Sequence, residues 1–526
     1  MSLHRFFGGV SLPALKPAPA PLRRLPLPDQ LRVPLLQHAD TACEPCVAVG
    51  DPVRRFQRIG HRAAEGLGAD VHAPAAGRVV ALERGPVALP GTPDAMHVVI
   101  AVDAAAAQAW RSGDSDANDD ARMPALDPRT ASLDLLRQRL ADAGLVGLGG
   151  AGFPTAEKLA AGHRLLILNG AECEPVVACD EALLRERADA VLSGGRLLAR
   201  LAGATRLVLA MEQRMASALP AVHAAMATAS HEATEGPAIE LALLPDRYPA
   251  GGERQLIQAL TGDAVPDGGL PRDLGVLVQN VATAAAAWRA VVHGEPLVSR
   301  LVTIGGDGVA EAATFEVALG TPASHLAHAV GGWRDDATVL RAGGPMMGVA
   351  LPQDDVAVIK TTIALTAWRG DAHGRARPRP CIRCGDCANA CPSRLQPQLL
   401  HARLQAADGT DLAGAMALGL GACIECGACD AVCPSAIPLT AGFVAARRDA
   451  RLGEHQRAQA EAAKARFERR IERLQREADE AAQQQSQRVK RVSGAAAAAL
   501  AKARSKRAAS GSAPGAADPP PDGDRP

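Results

Sequence analysis

Aromatic residues are nearly absent from this 526-residue chain, which has seven Phe, four Trp and one Tyr. Its cores must therefore be aliphatic, and a hydrophobic fraction of 48% permits that. An excess of either charge is missing too, since 57 Lys and Arg balance 57 Asp and Glu. A balanced chain has no bulk attraction to nucleic acid or anionic lipid, and no nucleic-acid partner is expected. No run of 18 apolar residues occurs, and the Ala runs Ala284–Ala287 and Ala495–Ala499 are too short to span a bilayer. The opening MSLHRFFGGVSLP lacks the apolar stretch of a secretory signal. These absences predict a cytosolic chain that reaches a membrane through partners. Cysteine is present but unevenly spread. Eight of the 12 fall in two tight clusters, which points to metal in a reducing compartment rather than to disulfides.

The length predicts three or four domains. Residues 1–110 are Pro-rich and read as short strands and turns. Within them Val71–Glu83 resembles the central hairpin of a barrel-sandwich (lipoyl-type) domain, without the lysine that a carrier domain places in the turn. Gly113–Arg122 is polar and acidic and reads as a linker. Over 125–296 the pattern becomes α/β. Ser132–Gly144 has helical spacing, a second helical pattern runs from Glu181 to Leu201, and Leu165–Asn169, Arg206–Ala210 and Ile239–Leu244 read as buried strands of a parallel sheet. Residues 297–350 read as a small α+β module. A linker near Gly370–Pro380 leads into the cysteine region, placed at 360–450. Residues 451–526 read as a polar helix with too few apolar positions for a heptad seam, then a disordered end.

The cysteine runs are CIRCGDCANACP, from Cys381, and CIECGACDAVCP, from Cys423. Three cysteines at such spacing wrap one cuboidal cluster, while the fourth, followed by Pro, ligates the other cluster in two-cluster ferredoxins. One 4Fe-4S cluster is thus assigned to Cys381, Cys384, Cys387 and Cys433, and a second to Cys391, Cys423, Cys426 and Cys429. Structural zinc is the competing reading, but zinc sites do not need this repeated pattern. Cys43 and Cys46 form a lone C-x-x-C, read as a surface loop of the barrel, with a third metal or redox site as the competing reading.

Gly147, Gly149 and Gly152 satisfy G-x-G-x-x-G, with Gly150 between them. A standard Rossmann fingerprint follows a strand, whereas here a helix precedes the loop. Two readings stay open. In one, the loop is a plain turn and nearby acids are solvated. In the other, glycine amides approach a phosphate, aided by a helix starting near Thr155 and by Lys158. Asn169, Glu172 and Glu174 follow one predicted strand end, and Glu212 follows the next, at the sheet edge where α/β ligands bind.

The ordered motifs GLGGAGFPTAEK (147–158), NGAECEP (169–175), YPAGGERQL (248–256), QNVAT (279–283), GGPMMG (343–348), KTT (360–362) and the two cysteine runs resemble the C subunit of the Rnf/Rsx ion-translocating electron-transport complex. FGGV, SLPALK and QHAD add to the likeness at the N-terminal end. The resemblance implies a peripheral subunit on the cytoplasmic side of the inner membrane, passing electrons between NADH and a ferredoxin-type carrier. Its partners would be the integral-membrane and iron–sulfur subunits of the complex. The central domain also resembles the flavin subunit of complex I. That likeness implies an FMN site shaped by Gly149, Gly150, Gly152, Lys158, Asn169, Glu172, Glu174, Tyr248, Gly251, Gly252, Asn280 and Thr283, with Phe153 and Glu253 on the NAD(H) side. Residues 297–350 resemble the same family's β-grasp module. SLPALK lacks the usual histidine and acid, and Gly252 stands where the complex I subunit has a glutamate. The rival readings are a flavin subunit of a complex I-like or bifurcating dehydrogenase, and a non-enzymatic zinc scaffold.

Overall fold

A computed structural model describes the chain except residues 1–2, 39–40, 64–65, 114–120, 160–161, 232–235, 267, 371–376, 406–409 and 512–526. Most of the expected acidic linker, much of the 370–380 linker, the end of QHAD and most of the expected disordered end therefore lie outside the described residues. The chain forms two units, 1–447 and 448–526.

Two antiparallel sheets make the N-terminal barrel. Gln30–Pro34, Asp94–Val102, Gly77–Pro86 and Pro52–Val53 form one; Glu44–Pro45, Arg58–His61 and Val71–His72 form the other. Leu31, Val33, Val79 and Ile100 from the first sheet meet Ile59 and Val71 from the second in one core. The strands flanking the Pro-Ala-Ala turn belong to different sheets, so this turn crosses the barrel and does not close a hairpin. Cys43 is not on a surface loop. It is buried in the barrel core and its thiol donates to the Ala69 carbonyl at 3.3 Å. Burial pushes that thiol up to about 11, whereas Cys46 is exposed.

The central domain has four parallel strands in the order Ile239–Leu244, Arg206–Glu212, Leu165–Asn169, Val276–Asn280. Alternation along Leu165–Asn169 sends Leu166 and Leu168 to one core, and Leu165 and Ile167 to another on the opposite face. Helices Cys179–Ala202 and Val281–Val292 cover the first face, and Glu253–Thr261 the second. The two large helices approach closely at Gly194, where any Cβ would strike the Ala284 carbonyl. Ser132 caps helix Leu133–Asp142, its hydroxyl accepting the Leu135 amide at 3.3 Å. From Leu165–Asn169 the chain builds two strands to one side, then crosses to place Val276–Asn280 on the other. That reversal leaves a crevice at the paired strand ends Asn169 and Asn280.

The next sheet is ordered Arg23–Arg24, Ala313–Ala318, Ser299–Gly305, Ala364–Arg369, Ala337–Ala342, Val349–Ala350. Its interior strand Ala364–Arg369 lies beyond the boundary expected at 350. Without it the sheet would split, so the module runs to Arg369. Its edge strand comes from the N-terminal segment, which does not join the barrel there. This segment acts as a strap. The amide of His4 donates to the Ala259 carbonyl, that of Gly9 to Ala390, that of Val10 to Tyr248 and that of Leu15 to Pro175.

The cysteine module repeats itself after 42 residues, from Cys381 to Cys423 and from Cys391 to Cys433. The backbone repeats as well. Arg383 and Glu425 both have φ 57°, Gly385 and Gly427 are both left-handed, and Arg394 (55°) matches Ala436 (53°). Helix Leu439–Ala509 begins in this module, where Leu439, Phe443 and Ala446 are buried.

Candidate functional site

The glycine loop lies at the crevice, because a Cβ on Gly149 would sit 3.4 Å from the Asn280 Cβ. Gly147 donates to the Phe153 carbonyl (2.8 Å), Leu148 to the Thr283 hydroxyl (2.9 Å) and Gly152 to the Gly147 carbonyl (3.2 Å). Among the described residues the amides of Gly149, Gly150 and Ala151 have no such partner. Gly150, at φ 106°, has nothing within 4 Å of a built Cβ. The loop is therefore tied down at its ends and open at its tip, which fits a phosphate-bearing cofactor. Thr283 supports the loop from behind. So does Arg300, fully buried, which donates to the Leu148 carbonyl at 3.2 Å and also to the Lys360 carbonyl. The helix expected at Thr155 is one turn, Thr155–Lys158, too short for an appreciable dipole.

Asn169 and Asn280 organise the crevice. Asn169 donates to the Gly251 carbonyl (2.9 Å), and Asn280 donates to an Asp180 carboxylate oxygen (2.6 Å) while capping helix Val281–Val292. Gly251 has no room for a side chain, since a Cβ would lie 2.9 Å from the Ala171 carbonyl; Gly252 caps helix Glu253–Thr261. Asp180 was not among the expected site residues. It sits in NGAECEP-x-x-x-C-D, and that spacing was the available signal. Burial, and after it the neighbouring Glu172 carboxylate, push its pKa well above the usual carboxylate range.

Several expected flavin residues are engaged elsewhere. Glu172 accepts the Asp180 and Glu181 amides at 2.7 and 2.9 Å, holding the start of helix Cys179–Ala202, and pairs with Lys16 at 3.7 Å. Glu174 accepts the Met346 and Met347 amides at 3.1 and 2.8 Å, and burial raises it to about 7. Glu212 is buried against Arg214 in a two-point pair. Lys158 does not stand free for a phosphate. It bonds Glu253 at 3.0 Å and the Val278 carbonyl at 3.0 Å. The pair is partly exposed, so it is weak and can open to a ligand. Phe153 is half-buried where the glycine loop leads into the Thr155–Lys158 turn. Tyr248 turns away from the loop and donates to the carbonyl of Cys426 at 2.6 Å.

The cysteines assemble across the repeat. Cys381, Cys384, Cys387 and Cys433 line one cavity of ≈ 360 Å³, and Cys391, Cys423, Cys426 and Cys429 line another of ≈ 330 Å³. Four thiols around each void fit an iron–sulfur cluster. Backbone amides already point at sulfur: Arg383 to Cys381, Leu395 to Cys391 and Glu425 to Cys423, each at 3.4 Å. The left-handed Arg383 and Glu425 produce that turn. The two sites differ in burial. Cys426 packs with Cys173, Tyr248 and Met346, whereas Cys381 and Cys384 are exposed and Ile382 is 68% exposed.

Three family models match the chain: "RnfC Barrel sandwich hybrid domain" over residues 4–105, "Nuo51 FMN-binding domain" over 140–289 and "4Fe-4S dicluster domain" over 373–434. The C subunit of the ion-translocating oxidoreductase complex of Pseudomonas aeruginosa is 41% identical over 89% of this chain and 58% of its own length. The C subunit of the same complex from Rhodobacter capsulatus is 36% identical over 76% of this chain and 74% of its own. The chain spans half to three fifths of the length of several other relatives of that name. An NAD+-reducing nickel–iron hydrogenase in the H2-reduced state superposes at TM-score 0.42 and 22% identity, over 66% of this chain and 76% of that one, too loosely to carry an argument. With its barrel-sandwich, FMN-binding and dicluster domains in that order, the chain belongs to the family of the C subunit of the ion-translocating oxidoreductase complex.

Proposed function

We propose that the chain is the peripheral electron-transfer subunit of an ion-translocating oxidoreductase, carrying electrons between NADH and a ferredoxin-type carrier through FMN and two 4Fe-4S clusters. Its partners are the integral-membrane and iron–sulfur subunits of that complex, on the cytoplasmic face of the inner membrane. One contact carries the reading. The Tyr248 hydroxyl, on the segment that leads from the parallel sheet to Gly251, is bonded to the carbonyl of Cys426 in the cluster module. A crevice suited to a flavin and a cavity suited to a cluster thus share one buried wall of Cys173, Tyr248, Met346 and Cys426.

Bound FMN supplies the conversion between two-electron hydride and one-electron cluster chemistry. The rest of the work is positioning. The open amides of Gly149, Gly150 and Ala151 receive the phosphate, with Thr283 and Arg300 fixing the loop behind them. Asn169, Asn280 and Asp180 present polar groups at the strand ends. Glu253, once parted from Lys158, hydrogen-bonds the nicotinamide side of NAD(H), and Phe153 offers it a face. The buried site of Cys391, Cys423, Cys426 and Cys429 lies next to the flavin domain, and the site of Cys381, Cys384, Cys387 and Cys433 faces outward.

Anaerobic purification with iron, sulfide and flavin analysis, followed by visible and EPR spectra before and after NADH, tests this. About eight irons and one flavin, with clusters reduced by NADH, are expected. Zinc without sulfide, or clusters never reduced by NADH even with the partner subunits present, would refute it.

A further inference from the structure

The neutral net charge conceals a segregation. Between Glu480 and Asp518 there is no acidic residue, yet seven Lys and Arg occur there, all of them in helix Leu439–Ala509. Upstream, Glu461–Glu480 mixes both signs. From Glu454 to Ala509 every helical residue is exposed. From Phe467 onward the helix carries six large apolar side chains: Phe467, Ile471, Leu474, Val489, Val492 and Leu500, between 39 and 65% exposed. At about 100° per residue they fall within an arc of about 80°. Too widely spaced to make a heptad seam, they nonetheless share one face.

Five of the seven basic residues border or fall on this arc. On the helical wheel Arg488 and Lys506 lie about 40° beyond one edge of the apolar arc, and Arg504 lies about 40° beyond the other, with Lys490 next to it. Arg507 falls on the arc itself near the end of the helix, where a long side chain can bend its charge outward. The opposite pole holds Gln487, Gly494, Ala498 and Ser505, and Arg491 and Lys502 lie about 40° and 60° to one side of it. A merely solvated helix has no reason to place most of its charges beside the apolar stripe. A second copy packed on the stripe would bring basic borders together, and like charges there oppose pairing. A nucleic acid would satisfy the cations but leave the apolar stripe unused. An anionic bilayer satisfies both, because Lys and Arg reach the phosphates while Val and Leu enter the acyl boundary.

We propose that residues 481–509 form an interfacial helix that lies on an anionic phospholipid surface. This assigns the chain a direct membrane contact, without a spanning segment, in place of attachment through partners alone. It is independent of the redox reading, since none of these residues belongs to the flavin or cysteine sites.

The test is flotation of the full chain with phosphatidylcholine vesicles, with and without phosphatidylglycerol. Binding should be at least about tenfold tighter with phosphatidylglycerol and should weaken as salt rises. Replacing Arg488, Lys490, Arg504 and Lys506 by Gln, or Val489, Val492 and Leu500 by Ser, should each weaken it about tenfold, with helicity checked by circular dichroism. Removal of residues 481–526 should abolish the phosphatidylglycerol preference. Equal binding to both vesicles, an unchanged preference after truncation, or a sedimentation dimer that the Ser substitutions dissociate would each overturn the proposal. So would tight binding to duplex DNA that ignores those Ser substitutions, with no vesicle binding.

Discussion

Replacing Tyr248 by Phe removes one hydroxyl and leaves the ring in place. The hydroxyl is buried and donates to the Cys426 carbonyl at 2.6 Å. A neutral hydrogen bond contributes about 1 kcal/mol net, and a buried acceptor left without its donor costs about 1–3 kcal/mol. The carbonyl belongs to a residue lining the buried cysteine cavity, so the loss falls on local opening of that site. At a factor of ten per 1.4 kcal/mol, opening should rise roughly 5- to 150-fold. The assay is release of iron to a chelator under anaerobic conditions, with EPR separating the two clusters. The cluster at Cys391, Cys423, Cys426 and Cys429 should bleach faster by that factor, and the one at Cys381, Cys384, Cys387 and Cys433 should be unaffected. Equal bleaching of both clusters, or none beyond wild type, would refute the claim that this bond closes the buried site.

Four further outcomes follow from the geometry. Gly149→Val should abolish flavin retention with iron content unchanged, because a side chain there crowds Asn280; flavin fluorescence and iron analysis decide it. Arg300→Met should weaken flavin binding about tenfold, since the Leu148 carbonyl loses a charged donor; titration of the flavin-free chain measures this. Cys433→Ala should remove the cluster held mainly by the first run, and loss of the other EPR signal instead would reverse the cross-assignment. Glu174 has its pKa raised by burial from 4.5 to about 7, so the folded chain keeps a proton that the unfolded chain sheds. Its contribution to stability is therefore full below about 4.5 and lost as pH rises toward 7. Glu174→Gln should flatten that decline in denaturant melts.

Much of the central domain was legible because its strands are short, largely apolar runs between helical patterns. Leu165–Asn169 and Ile239–Leu244 have their expected bounds. The two cysteine runs were legible because ligand spacing is local chemistry, and each cavity takes three cysteines from one run and one from the other. The support behind the sites was not. Lys360 is fully buried and donates to the carbonyls of Asp70 (2.7 Å) and Gly144 (2.8 Å), and Arg300 is buried against Leu148. By residue type both belong at the surface. Their partners are backbone carbonyls distant in sequence, which no local pattern encodes. Tyr248 and Glu174 lie in the expected neighbourhood but engage other partners, since sequence order fixes a motif and not the direction of its side chains. Strand Ala364–Arg369 escaped the sequence pattern because it pairs with Ser299–Gly305 and Ala337–Ala342, both distant in sequence, rather than with an adjacent hairpin partner.

The N-terminal strap bears on how the protein is made. Residues 4–24 contact Ala259, Tyr248, Pro175, Phe315 and Ala390, so a segment synthesised early is held by others made much later. Gly8 sits against the backbone of Cys391 itself, where a Cβ would lie 2.7 Å from its carbonyl carbon and oxygen. The strap cannot seat until the first cysteine run has left the ribosome and taken its shape. Contacts of such sequence separation form late and slowly. Iron–sulfur insertion should therefore act as the step that locks the strap, and a chain starved of iron should expose residues 4–24 to protease while its parallel sheet is already folded.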